Sequence, residues 1–85
     1  MAKTVLVIDD DPTQRRLLQA AVEKAGFACR TAPDGEAGIA LASDPKDGID
    51  VVLLDLTMPG MSGMDTLERL ASKRQDLPVI MLTAT

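Results

Sequence analysis

Val51-Val52-Leu53-Leu54-Asp55-Leu56-Thr57-Met58-Pro59-Gly60-Met61-Ser62-Gly63 is the stretch whose reading decides the fold. Its first four residues are apolar and two of them are β-branched, the pattern of a strand buried on both faces within a parallel sheet. The run stops on the carboxylate of Asp55, and Pro59, Gly60 and Gly63 force a turn soon afterwards. A charged group at the carboxyl end of a buried strand lies where open α/β sheets place ligand chemistry. Taken alone, Asp55 reads better as an ordinary solvated residue at the end of a strand. The other acids of the chain decide between the two.

The same pattern occurs upstream. Thr4 to Ile8 is a second continuous apolar, β-branched run, and it ends on Asp9, Asp10 and Asp11. Pro12 suits the first turn of a helix, with Asp11 as its N-cap. From Thr13 to Ala25 the residues Leu17, Leu18, Ala21, Val22 and Ala25 recur at helical spacing, while Arg15, Gln19, Glu23 and Lys24 fall largely on the other face. Gly26 closes this helix as a C-terminal cap would. Phe27 to Ala32 reads as a shorter strand with Cys29 as a small core residue, and Pro33-Asp34-Gly35 turns into a second helix, roughly Glu36 to Ala42. Ser43 to Asp50 is a polar loop leading back to the Asp55 strand. Ser62 is placed to cap a third helix from about Gly63 to Lys73, whose apolar face is Met64, Leu67, Leu70 and Ala71. Pro78 opens a fourth strand, Val79 to Leu82, which ends at Thr83-Ala84-Thr85. The order β-α-β-α-β-α-β predicts one small domain with a parallel sheet joined by right-handed crossovers.

Composition removes several functions. The formal net charge of −4 and the absence of a basic stripe argue against direct nucleic-acid contact by this segment. No histidine is present, so histidine acid–base catalysis, histidine metal ligation and phosphohistidine chemistry are excluded on this chain. Phe27 is the only aromatic residue, which excludes a base-stacking platform. A single cysteine cannot form an internal disulfide. No apolar run reaches the length of a membrane span and the N-terminus has no signal-like pattern, so no membrane partner is expected and the expected localisation is cytoplasmic.

Strands 1, 3 and 4 each finish on polar groups: Asp9 and Asp10, Asp55, and Thr83. If these strands are neighbours, their ends lie only ~4.8 Å apart per step. Carboxylates about 5 Å apart repel by about 3 kcal/mol at an effective dielectric near ~20. Such a cluster takes up a proton or binds a cation. Oxygen ligands at a rigid sheet edge suit a hard divalent ion that keeps part of its water shell, which describes Mg²⁺. Capping accounts for Asp11, but a helix start needs one cap rather than three acids.

Val5-Leu6-Val7-Ile8-Asp9-Asp10, Leu53-Leu54-Asp55-Leu56-Thr57-Met58-Pro59-Gly60-Met61-Ser62-Gly63 and Pro78-Val79-Ile80-Met81-Leu82-Thr83-Ala84 resemble, in register, the receiver domains of two-component response regulators. The resemblance implies a flavodoxin-like, doubly wound parallel sheet of order 2-1-3-4-5 and a phosphorelay role, with a phosphoryl group passing from a phosphohistidine to Asp55. The donor would be a sensor histidine kinase or a phosphotransfer protein. It further implies Mg²⁺ held by Asp55, by Asp10 directly, by Asp9 largely through water and by the backbone carbonyl of Thr57. Thr83 would hydrogen-bond the phosphoryl group, and Thr57 and Thr85 would occupy the variable positions that tune its lifetime. Measured against that fold, the chain is expected to be one N-terminal receiver domain over residues 1–85, C-terminally incomplete. Helix 4, strand 5 and helix 5 are absent from it, including the strand-5 lysine that pairs with the phosphoryl group. Strand 4 would then be a sheet edge (order 2-1-3-4), and a homodimer or higher assembly through that edge, or through the sheet face lacking helix 5, is expected.

Two rivals follow from the same residues. One is a degenerate receiver-like interaction module that is not phosphorylated. The other is a phosphatase of the haloacid dehalogenase type, which also uses a strand-end aspartate but wants a second aspartate two residues on, where this chain has Thr57. The reading adopted is a signalling domain whose phosphoryl transfer is directed only at itself.

Overall fold

The computed structural model describes residues 2–56 and 63–82. Four strands, β1 (Thr4–Ile8), β2 (Ala28–Ala32), β3 (Val51–Asp55) and β4 (Val79–Leu82), alternate with three helices, α1 (Pro12–Lys24), α2 (Gly35–Ser43) and α3 (Gly63–Lys73). All strand pairs are parallel and the sheet order is β2-β1-β3-β4, so the expected doubly wound, flavodoxin-like architecture is present. The polar loop before β3 contains a 3-10 turn at Pro45–Asp47.

Local chemistry explains the boundaries. Asp11 caps α1 by accepting from the Thr13 amide at 2.9 Å, and Pro12 fills the first turn, where no donor is needed. Gly26 follows the helix end with φ of +97°, a conformation that favours glycine. Asp34 caps α2 by accepting from the Ala37 amide at 2.8 Å. The Ser62 cap expected for α3 and the end of the fourth strand at Thr83–Thr85 lie outside the described residues.

The core fills one face of the sheet. Leu6, Ile8, Val52 and Leu54 point at Ile39 and Ala42 of α2 and Leu70 of α3, with Ile49 and Leu77 closing the periphery. Arg74, just after α3, donates to the carbonyls of Ala42 and Ile49 at 3.3 Å each, tying the loop ahead of β3 to the end of α3. It also pairs with Asp76 at 3.4 Å.

Three expectations about burial change. No residue of α1 is fully buried: Leu18, Ala21, Val22 and Ala25 border an open groove, and Leu17, which does not line it, is 67% exposed. That groove, about 520 Å³, is lined chiefly by Val5, Leu18, Val22, Phe27, Leu53 and Ile80. Met64 on α3 is exposed, while Gly63, Thr66 and Leu70 form the buried face of that helix, one turn apart. Cys29 lies in β2 as expected but is half-buried, since β2 is an edge strand.

Candidate functional site

Register brings the acids together. Ile8 of β1 pairs with Leu54 of β3, so the next residue of each strand, Asp9 and Asp55, emerges at adjacent carboxyl ends. The crossover through α1 covers one face of the sheet, while α2 and α3 pack together on the other. The winding therefore reverses between β1 and β3, the point where open α/β sheets form their ligand crevice. Asp9, Asp10 and Asp55 each bring a carboxylate oxygen within 4.8 Å of the others. Asp9 is fully buried, Asp55 is 5% exposed and Asp10 is exposed. The three acids expected to converge do so. Thr57 and Thr83 lie outside the described residues.

Asp9 is held at three of its four polar atoms. Its amide donates to the Ala32 carbonyl at 3.1 Å, its Oδ1 accepts from the Asp11 amide at 2.9 Å, and its carbonyl accepts from the Arg15 guanidinium at 2.8 Å. The buried Oδ2 accepts no hydrogen bond from the described residues. Burial pushes the Asp9 carboxyl above its ordinary value. The Asp11 amide opposes this, whereas the negative charge of Asp55, a proton shared with it, and the charge of Asp10 add to the rise.

An anion cluster of this kind calls for positive charge. At an effective dielectric near ~20, two carboxylates at 4.8 Å repel by about 3.5 kcal/mol. The donors are all carboxylate oxygens and the orphaned Oδ2 of Asp9 is buried, so the residues present fit a hard divalent cation.

Comparison with known proteins agrees with this arrangement. The response regulator receiver domain family matches residues 5–85. The chain belongs to that family. This receiver domain is 42% identical over 81 residues to the sensory transduction protein RegX3 of Mycobacterium bovis, covering 95% of the chain and 34% of the relative. It is 41% identical over 80 residues to the sensor histidine kinase RcsC of Escherichia coli, covering 94% of the chain and 8% of the relative. The chain thus spans roughly a third or less of these curated relatives. Among solved structures, the Vibrio cholerae chemotaxis protein CheY4 superposes with a TM-score of 0.90 at 30% identity, covering 100% of the chain and 71% of CheY4. The response regulator TrrA of Thermotoga maritima, solved in complex with Mg²⁺ and BeF, has a TM-score of 0.86 at 36% identity, covering 98% of the chain and 70% of TrrA. TrrA has also been solved in complex with the histidine kinase ThkA, and that structure has a TM-score of 0.85 at 35% identity, covering 96% of the chain and 69% of the matched chain. Family membership removes the haloacid dehalogenase alternative.

Sequence reasoning missed Arg15. Periodicity alone places it on the polar face of α1. An arginine at the end of a helix's first turn can reach back past the helix start, and here it grips the carbonyl of Asp9.

Proposed function

We propose that Asp55 of this receiver domain accepts a phosphoryl group from a phosphohistidine on a sensor histidine kinase or a phosphotransfer protein in the cytoplasm. The observation that carries this reading is the convergence of Asp9, Asp10 and Asp55 at the β1–β3 switch point, with Asp9 Oδ2 buried and unsatisfied. A carboxylate oxygen of Asp55 attacks phosphorus in line as the P–N bond to the donor imidazole breaks, leaving an acyl phosphate on Asp55 and a neutral imidazole after proton uptake from water. Burial at 5% exposure keeps competing water away from the nucleophile.

Asp9, Asp10, Asp55 and the Thr57 carbonyl would hold Mg²⁺, which when bound neutralises charge on the transferring oxygens. Asp9 and Asp10 are also what bars a metal-free site from accepting more negative charge. The hydroxyl of Thr83 would hydrogen-bond the transferred group, and Thr57 and Thr85 would tune its lifetime. TrrA, seen with Mg²⁺ and BeF and again with a histidine kinase, supports both the ion and the partner class by analogy.

The test is treatment with acetyl phosphate and Mg²⁺ followed by borohydride trapping and mass spectrometry. In a receiver domain extended through strand 5, modification should fall on Asp55 and vanish in Asp55→Asn, whereas residues 1–85 alone, without a strand-5 lysine, should label slowly or not at all. Labelling that survives Asp55→Asn would remove the acceptor assignment, and no labelling of the extended domain when it binds Mg²⁺ would favour the unphosphorylated interaction module. Self-association is proposed at β4, an edge strand of the described sheet where Ile80 is 53% and Met81 47% exposed. Light scattering over a concentration series should show a dimer, and a monomer at every concentration would contradict it.

A further inference from the structure

We propose that Arg15 is a positioning residue of the cation site: its guanidinium, bonded to the Asp9 carbonyl, holds the Asp9–Asp10 turn so that both carboxylates meet Asp55. The inference rests on the reading of that cluster as a Mg²⁺ site.

The argument begins with the hydrogen bonds of Asp9. The Ala32 carbonyl and the Asp11 amide fix it from the sheet and from the following turn. Arg15 supplies the third tie, from α1, across six residues. Arg15 is itself anchored, since its amide donates to the Asp11 carbonyl at 2.8 Å and its side chain is half-buried. Asp9, Asp11 and Arg15 thus form a closed circuit around the turn that carries Asp10. Asp10 is exposed and reaches the cluster only from that turn. A carbonyl–guanidinium bond is charge-assisted and stronger than a neutral one. Oδ2 is then the one polar atom of Asp9 that accepts no hydrogen bond from the described residues.

Charge alone makes the opposite prediction. Arg15 is a cation bonded to the backbone of the acid cluster, so if it acted only through its field, removing it would tighten Mg²⁺ binding. If it acts through geometry, removing it weakens binding, because the ligands must be ordered when the ion arrives. The sign of the change separates the two roles.

The experiment is a calorimetric Mg²⁺ titration of the protein and of Arg15→Ala, Arg15→Lys, Arg16→Ala and Asp10→Asn, with each melting temperature also recorded in EDTA. Arg15→Ala should weaken Mg²⁺ binding about tenfold, the low end for residues that orient a ligand. Arg15→Lys, which keeps one donor, should recover most of the affinity, and Arg16→Ala should stay within about twofold. Unchanged or tighter binding in Arg15→Ala overturns the proposal, including the case where its melting temperature in EDTA falls, which would mark Arg15 as merely structural. If Arg15→Ala does not fold, unchanged binding in Arg15→Gln overturns it equally. A parent protein without saturable Mg²⁺ binding, or with binding untouched by Asp10→Asn, would instead refute the cation-site reading and the inference with it.

Discussion

The two faces of the sheet draw on alternate residues of the same strands, yet among the described residues only one of them is closed. On the α2–α3 face, Leu6, Ile8, Val52 and Leu54 are fully buried beneath Ile39, Ala42 and Leu70. On the α1 face, Val51 and Leu53 are half-buried and border the open groove, although Val7 is fully covered. The acid cluster belongs to neither face, since it sits at the carboxyl ends of β1 and β3, and none of its members lines the groove. The difference teaches where the site gets its rigidity. Ile8, the residue immediately before Asp9, is packed so closely against α2 that a Cβ on Gly38 would lie 2.6 Å from its Cγ1. The closed face therefore fixes the backbone from which Asp9 projects.

Core truncation should break the symmetry between faces most clearly. Leu70→Ala, at a fully packed position, should cost about 3 kcal/mol in urea denaturation. Leu18→Ala, at the half-buried groove face of α1, should cost only about 1 kcal/mol. Equal losses would show that the two faces contribute alike.

A smaller effect tests the contact behind Asp9. In an ordinary helix interior Gly→Ala stabilises by about 1 kcal/mol. At Gly38 the new methyl must displace the buried Ile8, and overpacking of that kind costs about 1–3 kcal/mol. Gly38→Ala should therefore be net destabilising, by about 1 kcal/mol, the difference of these two effects. A higher melting temperature in this variant would show that α2 moves aside cheaply and that the closed face does not clamp Asp9.

The smallest expected effect is that of pH on the acid cluster. Burial raises the Asp9 carboxyl in the folded state, so above its ordinary range the folded chain holds a proton that the unfolded chain has lost. The associated stability is fully present below about pH 4, the unperturbed aspartate value, and is lost as pH rises through the raised value. In EDTA, Asp9→Asn should therefore gain stability relative to the parent as pH increases, by a few degrees of melting temperature, or about 1 kcal/mol or less. A gap between the two proteins that does not change with pH would contradict the direction assigned to Asp9.

Much of this was legible in the residues. The apolar runs ending on carboxylates marked β1 and β3, and α3 and β4 have the bounds that periodicity and Pro78 implied. Convergence of Asp9, Asp10 and Asp55 followed because parallel strands in register deliver their ends to one edge. What periodicity cannot show is what covers an apolar face. Leu17 and Met64 have helical spacing like Leu70, but their exposure depends on neighbours distant in sequence. Arg15 escaped for a similar reason. Its role depends on a side chain reaching back to a backbone carbonyl, which leaves no mark in the pattern of polar and apolar residues.

The most direct test of the central claim, that Asp9, Asp10 and Asp55 form one divalent-cation site, is the melting temperature with and without saturating Mg²⁺ for the parent, Asp10→Asn and Asp11→Asn. An ion bound only by the folded chain raises stability by about 2.7 kcal/mol at a hundredfold excess over its Kd. The parent should melt several degrees higher with Mg²⁺, Asp10→Asn should lose most of that rise, and Asp11→Asn should keep it because asparagine still caps α1. Equal Mg²⁺ responses in Asp10→Asn and Asp11→Asn, or no response in the parent, would contradict the account.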